Sequence, residues 1–180
     1  KSIVNLTGAL RVDGSSVFGE DQRNQKYFKA SGSYVISEHE FWKNMNMSKV
    51  WNFAKIRVAY GQSGNLTGIG AYSRFNSYSS NSFVSRTSLI SSGTLANTNV
   101  KPERQQELEF GLDLGFFKDR LTLQTNIYTK KVTDLLINRF IAPTNGFSSL
   151  LDNFGSLENR GFEIVLTGKP VQNKNFDWTV

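Results

Sequence analysis

Hydrophobic and polar residues alternate along much of the chain. Over 107–116, Leu108, Phe110, Leu112, Leu114 and Phe116 take every second position, with Glu107, Glu109, Gly111, Asp113 and Gly115 between them. After a charged break, Leu121, Leu123 and Ile127 resume the beat against Thr122, Gln124, Asn126, Tyr128 and Lys130. A helix turns by 100° per residue and would smear the acids into the apolar face. Gly111 and Gly115 would each cost about 1 kcal/mol in its interior. Strict alternation is the period of a strand. The same period recurs over 4–12, 28–36, 54–60, 162–166 and from 176, which predicts about seven strands near 1–13, 26–36, 53–62, 104–116, 120–134, 158–169 and from 176 onward.

The pattern also predicts a register. A turn centred on Lys118 and Asp119 sets Phe116 opposite Leu121, Leu114 opposite Leu123, Leu112 opposite Thr125 and Phe110 opposite Ile127 on one face. Asp113 then meets Gln124, Gly111 meets Asn126 and Glu109 meets Tyr128 on the other. A one-residue slip inverts every side chain, so the turn must hold an even number of residues, although 117–120 lacks the Asn-Gly or Asp-Gly of the tightest hairpins.

Up-and-down threading of these strands puts 14–25, 63–103 and 135–157 at one end and 37–52, 117–119 and 170–175 at the other. The first set is long and rich in Ser, Asn and Gly; in the second, only 37–52 is long enough for a helical turn. Pro102, Pro143 and Pro170 all fall in connections, as they must, because proline cannot donate to a strand ladder. Trp42, Trp51 and Trp178, with Phe53, Phe116, Phe117 and Phe176, gather near the short-turn end. Ten-residue alternating strands, asymmetric connections and an aromatic girdle describe a transmembrane β-barrel, an all-β antiparallel meander with lipid outside and a wet lumen inside. A soluble antiparallel sheet with one face on a core gives the same period and is the rival architecture.

Composition narrows the chemistry. The chain has 180 residues and a net charge of +6, with Lys and Arg spread along it and not gathered on one element, so no nucleic acid is expected as a partner. Zero cysteines argue against a disulfide-stapled domain and a Cys zinc site. No apolar run approaches the roughly 20 residues of a membrane helix. The sequence opens and stops in mid-pattern and reads as a piece of something longer, so the missing leader carries no information.

No nucleophile-base-acid set emerges, and His39, the only histidine, is read as a solvated residue of 37–52. Glu107, Glu109 and Asp113 form an acidic stripe whose type suits a glycosidase pair, but the expected role is that of solvated lumen acids. GQSGNLTGIG (61–70) has neither the lysine of a phosphate loop nor a dinucleotide spacing and reads as a flexible loop start. DNFGSLENRGFE (152–163) reads as a return from loop to strand with Gly161 at a bend. In 63–103, Tyr72, Phe75, Tyr78 and Phe83 stand among amides and hydroxyls, a mixture suited to sugar or to packing against neighbouring loops. No enzymatic activity, cofactor or metal is expected.

Six stretches, in order, carry a family resemblance: RVDGSSVFG (11–19), YFKASGSYVISEHEF (27–41), AKIRVAYGQSGN (54–65), ELEFGLDLGFFKDRL (107–121), YTKKVTDLL (128–136) and NFGSLENRGFEIVL (153–166). Together they cover almost the whole chain, which closely resembles the later barrel segment of SusC-like, TonB-linked outer-membrane proteins. Val17 stands where that family usually has Arg, and Lys29 where it usually has Pro. The resemblance implies that residues 1–180 are part of a plugged barrel of the 22-stranded class. The plug, the TonB-contacting segment and the closing C-terminal strand would lie outside them. It further implies outer-membrane lipid around the wall, a SusD-like lipoprotein lid, the TonB complex, and an oligosaccharide or other nutrient as cargo. Tyr72, Phe75, Tyr78 and Phe83 would then meet cargo or lid. Rival functions are a soluble carbohydrate-binding β-domain and a passive or adhesive outer-membrane barrel.

Overall fold

The computed structural model describes residues 2–65, 68–173 and 176–180. Its strands, in chain order, are β1 Val4–Gly14, β2 Asn24–Val35, β3 Trp51–Asn65, β4 Tyr78–Phe83, β5 Arg86–Ser91, β6 Thr94–Leu95, β7 Glu103–Phe116, β8 Leu121–Thr133, β9 Leu136–Phe140, β10 Ser149–Asn153, β11 Ser156–Gly168, β12 Val171–Asn173 and β13 Phe176–Trp178. Six of them make one sheet in the order β1-β2-β3-β7-β8-β11, every neighbouring pair antiparallel. These are the first six strands predicted from alternation. The seventh run continues the meander: β13 pairs with β12, and Gly168 and Val180 exchange both backbone bonds at 2.8 and 2.9 Å.

Alternation becomes two continuous faces because the register carries it unbroken across the sheet. Leu6, Gly32, Val58, Phe110, Ile127 and Phe162 form one row. The adjacent row is Asn5, Ser33, Arg57, Gly111, Asn126 and Glu163. The apolar row is bare, with Leu6 81%, Ile127 64% and Phe162 74% exposed. Among the described residues the buried apolar side chains are Phe18, Tyr27, Ala54, Val100 and Pro102. A soluble antiparallel sheet hides its apolar face under a second layer. Among the described residues no second layer covers this face, the arrangement that a lipid-facing barrel wall requires.

The β7–β8 hairpin has the predicted register throughout, from Phe116 opposite Leu121 to Glu109 opposite Tyr128. Its turn is even but has four residues, 117–120, where a two-residue turn on Lys118 and Asp119 was predicted. Phe117, Lys118 and Asp119 all take left-handed conformations, with φ of 55°, 59° and 63°. Non-glycine residues reach that region only at a cost, so something must hold them. The clamp comes from a bulge in the neighbouring strand, where the β3–β7 register shifts between Trp51 and Phe53. The extra residue, Asn52, accepts the Lys118 N–H at 3.0 Å and donates to Asp119 Oδ1 at 2.7 Å. The bulge also sets Trp51 opposite Phe116, on the apolar face.

Four expectations change. Gly61 to Asn65 belong to β3, so GQSGNLTGIG is half strand, and its residues 66 and 67 lie outside those described. The long connections hold structure of their own: a β4–β5 hairpin and a three-stranded sheet ordered β6-β10-β9. Gly161 lies within β11 opposite Tyr128, whose ring leaves no room for a Cβ there; the bend falls at Gly155, with φ of 108°. His39 is half-buried, hydrogen-bonded to the Tyr34 hydroxyl through Nε2 and stacked on Phe41. The helical turn expected in 37–52 is Glu40–Lys43.

Candidate functional site

The sheet presents three candidate surfaces: a wet wall and two rims. On the wall, the guanidinium of Arg57 is the hub. Its Nε and Nη2 donate to both oxygens of Asp113 at 2.9 and 2.8 Å, and Nη2 also donates to Asn126 Oδ1 at 2.9 Å. Glu109 lies 3.7 Å from Nη1, and Lys55 approaches Asp113 at 4.0 Å. Gly111 makes this possible: a Cβ there would sit 2.7 Å from the guanidinium carbon, so the bare backbone lets Arg57 lie flat across β7. Asp113 was expected to be a solvated acid. Its side chain is only 14% exposed and is held by Arg57, because strand pairing brings Arg57 and Asp113 to one side of Gly111. A shallow depression of about 270 Å³ opens beside this network, lined by Asn5, Ser33, Arg57 and Glu109 among others.

The long-loop rim is stapled by side chains. Phe18 and Val100 are fully buried, and Gly19 N–H donates to the Val100 carbonyl at 2.9 Å. A Cβ on Gly19 would come within 2.5 Å of the Thr98 carbonyl, so this crossing of two loops requires glycine. Asn153 accepts from Lys101 N–H at 2.9 Å and donates to the carbonyls of Lys101 and Asp134, both at 2.8 Å. Lys101 Nζ pairs with Asp134 at 2.9 Å. Below them Tyr27, 2% exposed, lies between the guanidinium groups of Arg11 and Arg104.

Of the four aromatics singled out in the long loop, the structure brings two together. Tyr72 and Phe75 line one depression of about 560 Å³ with Ser73, Ser92, Thr94 and Asn138. Tyr78 and Phe83 stand apart on β4, 61% and 71% exposed. Arg74, which pattern reading passed over, stacks its guanidinium 4.3 Å from the centre of the Phe75 ring. Its Nε is buried without a hydrogen-bond partner, and it borders a second depression of about 330 Å³ with Glu20, Asp21 and Asn99. An arginine beside two aromatics was the signal available in the sequence.

The short-turn rim carries a chain of rings. His39 meets Phe41, Phe41 meets Trp42, Trp42 stands edge-on to Trp51 at 4.6 Å and Trp51 stacks on Phe116 at 5.9 Å. The indole N–H groups donate to the carbonyls of Trp51 (3.1 Å, from Trp42) and Phe53 (3.0 Å, from Trp51). Rings on the apolar face with their polar atoms satisfied at the strand ends form the girdle of a membrane barrel. Phe53 departs from the expected girdle, packed over Gly115 on the wet side.

These surfaces define one class, a membrane-spanning β-wall. The chain belongs to the TonB-dependent receptor-like β-barrel family, whose pattern matches residues 3–180. It is 34% identical over 179 residues to TonB-dependent receptor P39 of Formosa agariphila, covering 99% of the chain and 17% of that protein. It is 31% identical to the TonB-dependent receptor SusC of Bacteroides thetaiotaomicron, covering 96% of the chain and 18% of that protein. The solved RagAB peptide importer in its open-open state superimposes with a TM-score of 0.82 at 27% identity, over 97% of the chain and 19% of its own. A siderophore receptor, PirA of Pseudomonas aeruginosa, shares the fold alone, with a TM-score of 0.54 at 13% identity. The chain thus spans under a fifth of these curated relatives, and its six-stranded sheet is an open arc of barrel in the outer membrane.

Proposed function

We propose that residues 1–180 are barrel wall in an outer-membrane transporter that uses TonB to take up a nutrient, with an oligosaccharide as the favoured cargo. The supporting observation is the two-faced sheet, bare apolar residues on one side and the Arg57 network on the other, with built loops at one rim. The Tyr72 and Phe75 depression, edged by hydroxyl and amide groups, takes the cargo. Tyr78 and Phe83, out on the β4–β5 hairpin, meet a lipoprotein lid of the SusD type. No side chain here performs bond-breaking chemistry. A peptide is the second reading, favoured by the similarity to a peptide importer.

The test is uptake of a labelled oligosaccharide by cells making the full-length protein, with and without TonB. Uptake should need TonB, and Tyr72→Ala or Phe75→Ala should each weaken capture by roughly 3–10-fold, about 0.7–1.4 kcal/mol. Uptake that persists without TonB would demote the protein to a passive barrel. Competition by peptides but not by sugars would move the cargo to the second reading. Cargo hydrolysis that vanished with Glu107→Gln would make it an enzyme.

A further inference from the structure

The short-turn rim gathers more positive charge than its acids balance among the described residues. Three connections meet there, joined by backbone bonds: Phe117 N–H donates to the Val50 carbonyl at 2.7 Å and Lys169 N–H to the Arg120 carbonyl at 2.7 Å. Those bonds bring Lys49, Lys118, Arg120 and Lys169 to one edge. Among the described residues none of the four makes an ion pair, and Lys49, Lys118 and Arg120 are exposed. The nearby acids do little for them. Glu38 is engaged by Lys43 at 3.2 Å, and Asp119 is turned back to the amide of Asn52 at 2.7 Å. Glu40, exposed on the helical turn Glu40–Lys43, and Asp119 keep their charges, two acids against four cations among the described residues.

Position gives this charge its meaning. Trp51 and Phe116 stack on the apolar face at the first residue of β3 and the last of β7, which marks the edge of the hydrocarbon. The cations lie in the turns just beyond that edge, at the depth of lipid phosphates, where long basic side chains reach for headgroups. At the other rim the basic side chains next to the wall are mostly satisfied within the chain, as Lys101 is by Asp134 and Arg139 by Asp152. We propose that the short-turn rim binds the phosphate of an anionic phospholipid. A phosphodiester with no ammonium of its own fits four cations; a zwitterionic headgroup brings a fifth positive charge.

The full-length protein, immobilised in mixed micelles of equal phosphatidylglycerol and phosphatidylethanolamine, tests this by the ratio of the two lipids it retains. Phosphatidylglycerol should be enriched several-fold, and the enrichment should collapse in the K118Q/R120Q/K169Q variant and in wild type at about 1 M salt, where the screening length falls to about 3 Å. K118R/K169R should keep it, as should R86Q, which removes a charge from the distant β4–β5 hairpin. A heat-modifiability gel shift verifies that each variant is a folded barrel. If the triple variant does not fold, the salt series and the arginine variant still decide. Equal retention of both lipids by wild type would overturn the proposal. So would enrichment that survives high salt or the triple substitution, or one that R86Q abolishes equally.

Discussion

The two rims of this wall solve the same problem, returning the chain to the next strand, in opposite ways. At the short-turn rim the hairpin of β7 and β8 closes in four residues, three of them left-handed, under the side chain of Asn52. A one-residue change in that turn would invert the faces of a strand. At the long-loop rim, β3 and β7 are separated by residues 66–102, which carry a hairpin and one strand of the three-stranded sheet. Its fixed points are a few side chains, Phe18 under the loops and Asn153 between them. One rim therefore sets the faces of the sheet, and the other is free to vary.

The largest expected effect breaks that contrast directly. Inserting one glycine between Lys118 and Asp119 makes the turn odd and forces a one-residue slip that inverts one strand, moving Leu112 into the lumen or Gln124 into lipid. No folded barrel should be recovered from outer membranes. Excising 78–91, a far larger change, should leave assembly intact, since Ser77 and Ser92 already bond across the base of the hairpin at 3.1 Å. Equal assembly of the two variants would show that the short turn does not set the register.

Between the rims, the faces themselves differ in what they tolerate. Leu112→Arg should cost about 2–4 kcal/mol where it meets the bilayer midplane. Gln124→Arg, on the wet face opposite Asp113, should cost less than about 1 kcal/mol. Reversible folding into lipid vesicles measures both, and equal costs would reverse the assignment of faces. Asp113 is not a neutral place for such a comparison. Its exchange for Arg would set a second cation against Arg57 and Lys55, so a large penalty there reports the network and not the lipid.

The smallest effect separates the two asparagine clamps. Asn52→Ala frees the left-handed turn and should destabilise the whole barrel by about 1–2 kcal/mol. Asn153→Ala removes a comparable set of bonds, but between loops, and should speed limited proteolysis of 134–155 while leaving barrel stability within about 0.5 kcal/mol. A shared loss of global stability would mean that the outer loops are part of the folding unit of the wall.

Much of this was legible in the chain itself, because alternation is a local signal. Leu108 to Phe116 and Leu121 to Ile127 determine two strands, their two faces and, through the parity of 117–120, the pairing of Phe110 with Ile127. Family membership was legible too, in stretches spread from Arg11 to Leu166. The sequence also placed aromatics at both rims, but not their partners. Tertiary structure alone decided that Tyr72 joins Phe75 while Tyr78 and Phe83 stand away, that Arg74 stacks on Phe75, and that β6 pairs in parallel with β10. It alone placed Asn52 over the 117–120 turn and Arg57 against Asp113, 56 residues away. A strand's period is written in neighbouring residues, each facing away from the last. A clamp or a pocket needs groups far apart in sequence to arrive at one point, and only the folded chain brings them there.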